Sequence, residues 1–183
     1  MSVLGHERRS FLMGLGGLGI SSAFLQSAGQ AQPVVHEGFV LGASGGEHLV
    51  HFRDHGNIFI KVGTATGSDN LALGTQQVTA GAGIPVHRHL HMDEAFYVLE
   101  GSGVVTLNDV GHPFDKGATI FIPANVWHGF ENSEHELLLL WLMSPPGLDG
   151  FFRETCTPPG APPKGLTREQ IKEIARKYGT EFR

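Results

Sequence analysis

Short apolar or alternating segments dominate the middle of the chain, between residues 34 and 143. Groups of glycine, serine, asparagine or aspartate separate each segment from the next. Apolar residues that alternate with polar ones over so short a length predict strands rather than helices. The segments assigned to strands are 39–41, 48–52, 58–62, 76–79, 96–99, 104–107, 119–122 and 137–142. Their regular spacing, without a helical period or an internal repeat, favours an all-β sandwich or a single barrel.

The last part of the chain has a different pattern. Residues 157–165 hold four prolines and two glycines, which predicts an arm or linker. Thr167 and Gln170 form a capping-box pattern, and apolar residues at helical spacing follow before Gly179. We expect this short helix to pack on the outside of the barrel or, alternatively, on a second subunit. Residues 145–154 are expected to form a lid over the barrel mouth or a plain helix covering its end.

The first 31 residues have the pattern of an export signal. Arg8 and Arg9 precede Ser10, Phe11 and Leu12, and a glycine-rich apolar stretch follows that is short for a membrane span. This string resembles the twin-arginine export motif, which implies passage through the twin-arginine translocase to a periplasmic or secreted location. We therefore expect a leader at 1–31, a barrel at 32–156 and an arm with a helix at 157–183, and no membrane span after processing. An N-terminal helix packed on the domain, or an uncleaved anchor, is the alternative.

Composition narrows the classes of function. The net charge of −5 and the 17% share of charged residues argue against a nucleic-acid binder, which needs clustered Lys and Arg. The single Cys156 excludes an internal disulfide and a multi-cysteine zinc site. The 11 histidines indicate metal or proton chemistry.

Two segments bring candidate metal ligands together. His87 and His89 are two residues apart on a predicted strand, so their side chains point to the same face. Glu94 begins the next strand, and we expect a hairpin to return it beside them, while His128 follows a later strand and a proline turn. Three imidazoles and one carboxylate suit a divalent transition metal. We favour Mn or Fe, and Ni, Cu and Zn also fit the donor set.

These segments resemble the two motifs of the cupin superfamily. Gly81, His87, His89, Glu94 and Gly101 occupy every position of the first motif. The second motif matches at the remaining positions but has asparagine where glycine is usual (Gly117, Pro123, Asn125, His128 and Asn132). Asparagine tolerates the left-handed backbone that such a turn requires. The resemblance implies a single cupin barrel, that is, a double-stranded β-helix or jelly roll, with one metal ion bound inside it.

The same face of the predicted strands supplies candidate substrate contacts. Glu94 is a candidate general base as well as a ligand, and Phe96 and Val98 share its face. Trp141, Phe59 and Phe121 are further candidates for the apolar lining, although an ordinary place in the core explains each equally well. We expect His91 at the rim of the pocket. The remaining histidines are expected at the surface, namely His48, His51, His55, His112 and His135.

Two further segments, residues 147–154 and residues 178–182, are similar to the quercetin 2,3-dioxygenase-like group of cupins. That resemblance implies a metal-dependent dioxygenase that opens the ring of a flavonol or a similar enol, with Glu94 as base. It also implies a small-molecule substrate, dioxygen as co-substrate and, as for many single-domain cupins, a homodimer. The alternatives are a non-catalytic small-molecule-binding cupin and a metal-dependent isomerase or decarboxylase. Few basic residues are expected to face the metal, because Arg88 alternates outward from His87 and His89.

Overall fold

Two antiparallel sheets make up most of the described chain. The computed structural model describes residues 37–132 and 135–183, so the expected leader at 1–31 lies outside the described residues. The first six strands along the chain are β1 Glu47–Val50, β2 Asn57–Val62, β3 Ala72–Val78, β4 Ile84–His89, β5 Asp93–Glu100 and β6 Gly103–Leu107. The others are β7 Val110–Phe114, β8 Thr119–Ile122, β9 His128–Asn132, β10 Leu137–Ser144 and β11 Thr180–Phe182.

The strand order separates the two layers of the fold. One sheet has six strands in the order β1-β2-β3-β10-β5-β8, and the other has five in the order β11-β4-β9-β6-β7. Apolar side chains from both sheets fill the space between them, including Ile58, Val98, Phe130 and Leu139. The architecture confirms the prediction of an all-β jelly roll, although the strands of the described residues pair as two sheets and not as one closed ring.

The side chains of β10 alternate between a buried face and a partly exposed face. Leu137, Leu139, Trp141 and Met143 point inward and are buried, while the residues between them are partly exposed. Since side chains alternate along a strand, the apolar residues between them cover the outer face of the sheet. The segment is a strand, as predicted, and its inner face is the more deeply buried.

Two α-helices lie between β10 and β11 in the described residues, α1 at Leu148–Thr155 and α2 at Arg168–Lys177. The predicted capping box of α2 is present: the amide of Gln170 donates to the Thr167 hydroxyl, and the Thr167 amide donates to the side chain of Gln170. Gly179 then adopts a positive φ of 67°, which suits a residue without a side chain just after a helix. The segment 148–154, expected as a lid or a plain helix, is therefore helical.

Some predicted strands differ from the structure. Residues 39–41 form no strand, and their apolar side chains are exposed. The sequence pattern does not predict the strands β7, β9 and β11. Glycine and histidine interrupt the apolar pattern of β7 and β9, and β7 also contains proline. The strand β11 has only three residues. No helix within the described parts of the chain is long and apolar enough to cross a membrane.

The chain after residue 156 is joined to the sheets. Thr157 forms an antiparallel bridge with Val50, and β11 pairs with β4. Between these two contacts, α2 packs against α1 and β11. The segment 157–183 therefore supplies a strand to the five-stranded sheet as well as the predicted arm and helix.

Candidate metal centre

The four predicted ligands come from both sheets. His87 and His89 lie on β4, and His128 begins β9, where it is the register partner of His87. Glu94 lies on β5, which belongs to the other sheet. The expected hairpin between β4 and β5 is therefore wrong, because the turn at residues 90–92 connects a strand of one sheet to a strand of the other. Glu94 meets the histidines face to face and not as a neighbour on a paired strand.

The side chains nevertheless converge. One ligand atom from each of His87, His89, Glu94 and His128 lies within 4.8 Å of the corresponding atom of every other. The Oε2 atom of Glu94 is 3.2 Å from His89 Nε2 and 3.1 Å from His128 Nε2. All four side chains are buried. The predicted set thus forms one group between the sheets.

Hydrogen bonds fix which nitrogen of each ring faces this group. The Nδ1 atom of His87 is 2.8 Å from the carbonyl oxygen of Pro85, and that of His128 is 2.9 Å from the carbonyl oxygen of Val126. A carbonyl oxygen only accepts, so each Nδ1 carries the proton, and the Nε2 of a neutral ring presents a lone pair. The Nδ1 atom of His89 lies 2.9 Å from the hydroxyl of Thr180 on β11, which holds the third ring.

Three buried atoms at the centre have no hydrogen-bond partner among the described residues: His89 Nε2, Glu94 Oε2 and His128 Nε2. Buried polar atoms are normally satisfied, and leaving them without a partner costs free energy. A cation bonded to these atoms would remove that cost. Nitrogen and carboxylate donors in this number fit a divalent transition metal, so the residues present fit the ion that the sequence predicts.

The protonation states also suit metal binding. Burial lowers the pKa of His87 well below its ordinary value, and the nearby His128 and His89 lower it further, so the ring is neutral at pH 7. Burial by itself would raise the pKa of Glu94, but the adjacent His89 and His128 hold it below its ordinary value. The site therefore offers a carboxylate and at least one neutral imidazole without first losing protons.

The turn before His128 confirms the expectation for Asn125. Its φ is 68°, in the left-handed region that glycine usually occupies. Its amide donates to the carbonyl oxygen of His89, and its side-chain nitrogen donates to that of Leu90. The asparagine therefore keeps the turn and also ties it to the strand that carries two of the histidines.

A cavity of about 350 Å³ opens beside this group. His87 and Glu94 form part of its wall, whereas His89 and His128 lie behind them. Aromatic side chains make up much of the remaining wall: Phe52, Phe96, Phe151, Phe152 and Phe182. The donors therefore face a space that is mainly apolar and large enough for a small organic molecule.

The predicted lining residues divide into two groups. Phe96 lines the cavity, as expected. Val98 and Trp141 do not: both are fully buried in the core between other side chains. Phe59 instead stacks on His48, and Phe121 is exposed on the outer face of β8. The alternation of side chains along a strand identifies which residues point inward, but it does not show how far along the inward face the cavity extends.

Among the remaining histidines, His51 corrects the expected surface role. It is only 3% exposed, stacks on Phe52 and lines the cavity. Its Nδ1 atom accepts a hydrogen bond from the amide of Arg53 and lies 3.3 Å from Asp54 Oδ1. The tight turn after β1 folds this ring inward, which an isolated histidine in the sequence does not reveal. His91, expected at the pocket rim, is exposed and does not line the cavity.

Residues near the end of the chain contribute more than the sequence indicated. Thr180 and Phe182 lie opposite His89 and His87 in the pairing of β11 with β4. The cavity wall also includes Arg53, Arg168, Lys172 and Arg183. Arg88, as expected, points away and pairs with Glu181. The sequence did not predict these four basic residues on the cavity wall, because residues far apart in sequence form that wall.

Comparisons with known proteins support the fold and the motif region. Residues 74–144 match the family model described as the cupin domain. The chain is similar to the polyketide cyclase RemF of Streptomyces resistomycificus, with a TM-score of 0.54 and 19% identity over 74% of this chain and 92% of that one. At this identity the likeness shows the fold alone.

Two curated relatives match part of the chain. An uncharacterized protein of Methanocaldococcus jannaschii, MJ1618, is 38% identical over 34% of this chain and 55% of its own length. The dimethylsulfoniopropionate lyase DddW of Ruegeria pomeroyi is 35% identical over 37% of this chain and 43% of its own length. The chain thus spans about half the length of the curated relatives it matches.

Proposed function

We propose that this cupin-domain chain is a metal-dependent dioxygenase that acts on a small aromatic or enolic compound. The single observation that carries the proposal is that the candidate metal-binding group lies on the wall of a mainly apolar cavity. A buried group of three histidines and one glutamate presents His87 and Glu94 to a cavity of about 350 Å³, and five phenylalanines contribute to the remaining wall. Flat apolar substrates suit such a wall.

His87, His89, Glu94 and His128 would hold the ion. A bound divalent transition metal supplies Lewis acidity toward a substrate hydroxyl and a redox-active centre for dioxygen chemistry. Manganese or iron is our proposal for the ion, and metal analysis of protein matured through its own export route tests it. Stoichiometric copper or zinc in that preparation would contradict it.

The chain's own groups then position the substrate and take its proton. Glu94 is a carboxylate at pH 7 and lies on the cavity wall. One of its carboxylate oxygens can therefore accept a proton from a substrate hydroxyl in the cavity. Phe96 packs edge-on against Phe130, which fixes the ring that the substrate would contact. Residues of the helices α1 and α2 form part of the cavity wall and would contact a bound substrate.

Oxygen uptake by the full-length protein tests the proposal. The protein is loaded in turn with Mn, Fe, Ni, Cu or Zn, and each form is offered a panel of flavonols, enediols and phenols. We expect substrate-dependent oxygen consumption with at least one metal and its loss in Glu94→Gln. Absence of uptake across the panel with stoichiometric metal bound would contradict the dioxygenase proposal.

The ligand set has its own control. His89→Ala should bind less than about a tenth of the wild-type metal while its far-ultraviolet circular dichroism is unchanged, because one of four donors is removed. His91→Ala is the matched variant: this histidine is two residues away, exposed and outside the group. Equal metal content in His89→Ala and His91→Ala would refute the ligand assignment.

A second candidate is a metal-dependent lyase, isomerase or decarboxylase that uses no dioxygen. Four basic residues on the cavity wall favour it, since such reactions often act on anionic compounds. The partial match to the curated dimethylsulfoniopropionate lyase also favours this class of reaction. Turnover under argon identifies this class, and a dioxygenase gives none.

Export is part of the proposal. The twin-arginine string at residues 8–12 supports a leader that places the mature protein in the periplasm or outside the cell. A reporter fused to residues 1–31 should be exported in a normal strain and retained inside a strain that lacks the twin-arginine translocase. Replacement of Arg8 and Arg9 by lysine should also retain it. Export in all three cases would contradict the assignment.

A further inference from the structure

The cavity has a charged end and a metal-binding end. Glu94 is the acidic residue on the described wall, and it belongs to the group of predicted ligands. Four basic residues line the same cavity: Arg53, Arg168, Lys172 and Arg183. His87 and Glu94 are buried, whereas the basic residues are partly or fully exposed, so the cations lie toward the mouth. This concentration is notable in a chain of net charge −5.

Two of these cations have no partner among the described residues. Arg168 and Lys172 are four residues apart on α2 and thus share a face of the helix with Ile171, which also lines the cavity. Neither makes a hydrogen bond or an ion pair within residues 37–132 and 135–183. By contrast, Lys177 on the same helix pairs with Glu154. The face of α2 toward the cavity therefore carries uncompensated positive charge.

The other two cations are partly compensated. Arg53 donates to Asp54 through one terminal nitrogen, but its Nε atom is buried and has no hydrogen-bond partner among the described residues. An orphaned N–H donor of this kind on a cavity wall favours an oxygen acceptor. Arg183 pairs with Asp109 and lies over the ring of Trp127, so it contributes less.

The capping box occupies two of the backbone amides at the start of α2. The amide of Gln170 and the amide of Thr167 are both satisfied by the capping box. Phosphate groups at helix N-termini are bound by free amides, and these two are already occupied. The cations on the cavity wall are side-chain groups, and a carboxylate pairs well with guanidinium and ammonium groups.

We propose that the cavity selects aromatic or enolic compounds that carry a carboxylate remote from the hydroxyl that faces His87 and Glu94, and that Arg168 and Lys172 are the specificity-determining residues. The proposal rests on the proposed function only in taking this cavity as the substrate site. The aromatic wall between the two ends holds the flat part of the ligand, and Arg53 adds a third donor near the mouth.

A matched pair of ligands tests the preference. 6-Hydroxy-2-naphthoate has its hydroxyl and carboxylate at opposite ends, and 6-hydroxy-2-naphthamide has the same shape without the charge. Binding of each to the full-length, zinc-loaded protein is measured by calorimetry at low and high salt. We expect the carboxylate to bind at least about tenfold more tightly than the amide, because hydrogen bonds to charged groups are the strong ones. This advantage should shrink as salt is added.

Variants then locate the preference. In the double variant Arg168→Met/Lys172→Met, affinity for the carboxylate should fall about tenfold or more, and affinity for the amide should change less than about twofold. Methionine keeps the length and helix propensity of both side chains. Arg176→Met is the control, because Arg176 is exposed on the same helix and does not line the cavity.

The outcomes separate this inference from the proposed function. Equal affinity of wild-type protein for the two ligands, or a preference that survives in the double variant, would overturn the inference. A preference that is lost in the double variant but kept in Arg176→Met supports it, whatever oxygen uptake shows. Selective binding without oxygen uptake would overturn only the dioxygenase, whereas uptake without charge preference would overturn only the carboxylate selectivity.

Discussion

At the scale of single residues, the candidate centre depends on atoms behind the ligands as much as on the ligands. The carbonyl oxygens of Pro85 and Val126 lock the rings of His87 and His128, and the Thr180 hydroxyl holds His89. Such partners orient a ligand and tune its basicity. The third partner is a side chain, so substitution can remove it without altering the backbone.

Replacing Thr180 by valine tests this support. Valine keeps the shape of threonine but lacks the hydroxyl, so we expect metal affinity to fall by about 10–100-fold while the fold is retained. Chelator competition measures the affinity. Thr180→Ser restores a hydroxyl and should bind metal nearly as well as the wild type. Wild-type affinity in Thr180→Val would show that the hydroxyl does not position His89.

The ligand residues could be predicted from sequence because a strand imposes a period of two, and that period places His87 and His89 on one face. The left-handed turn at Asn125 was also predictable, although the motif usually has glycine there, since asparagine is one of the few residue types that tolerate a positive φ. The positions of His51 and Arg168 could not be predicted. They approach the cavity from opposite ends of the chain, and nothing local in the sequence records such long-range packing.

At the scale of elements, close approach between strands sets the limits of variation. The aromatic ring of Trp141 on β10 packs directly over Gly74 on β3, its register partner. A side chain at position 74 would collide with that ring and with the backbone oxygen of Phe59. Glycine is therefore required here for space and not for an unusual backbone conformation.

We expect Gly74→Ala to lower the free energy of unfolding by about 2 kcal/mol, because overpacking forces the ring or the strand to move. Urea denaturation followed by circular dichroism measures the change. Gly42→Ala is the control: a side chain there meets nothing within 4 Å. Equal stability of both variants would mean that the Trp141 ring shifts without cost.

Element boundaries show where pattern analysis failed. The continuous apolar segment 137–142 was predicted as a strand because its neighbours are strands, whereas β7 was not predicted, since Val110–Phe114 is mostly exposed and contains glycine, histidine and proline. Exposed strands are stabilised by backbone pairing with a neighbour, and pairing leaves no apolar pattern in the sequence. The same reason explains why the sequence pattern did not predict β11, a short strand that pairs with β4.

At the scale of the whole molecule, burying neutral histidines makes the fold sensitive to acid. Burial lowers the pKa of His51 and of His87 below the ordinary value of 6.5. Below pH 6.5 the unfolded chain therefore binds protons that the folded chain does not, and protonation favours unfolding. The pKa values of Asp54 and Glu94 are also held below their ordinary values, so they add further loss at lower pH.

The metal-free protein should thus be less stable at pH 5.5 than at pH 7.5, because the unfolded chain takes up protons at both histidines over this range. Urea denaturation at both pH values measures the difference. His51→Asn should reduce it, whereas His112→Asn, at an exposed position, should not. Greater stability at pH 5.5 would contradict the sign of the effect. The expected homodimer stays a prediction, which light scattering can check.

The division of the donors between the two layers has a consequence for how an ion is acquired. Within the described chain the layers share no paired strand, so an ion held by Glu94 on one side and three imidazoles on the other would fasten them together. His87 and Glu94 also face the cavity, so an ion can reach them through its mouth after folding is complete. The metals that the folded protein meets, together with their relative affinity, would then decide which element it carries.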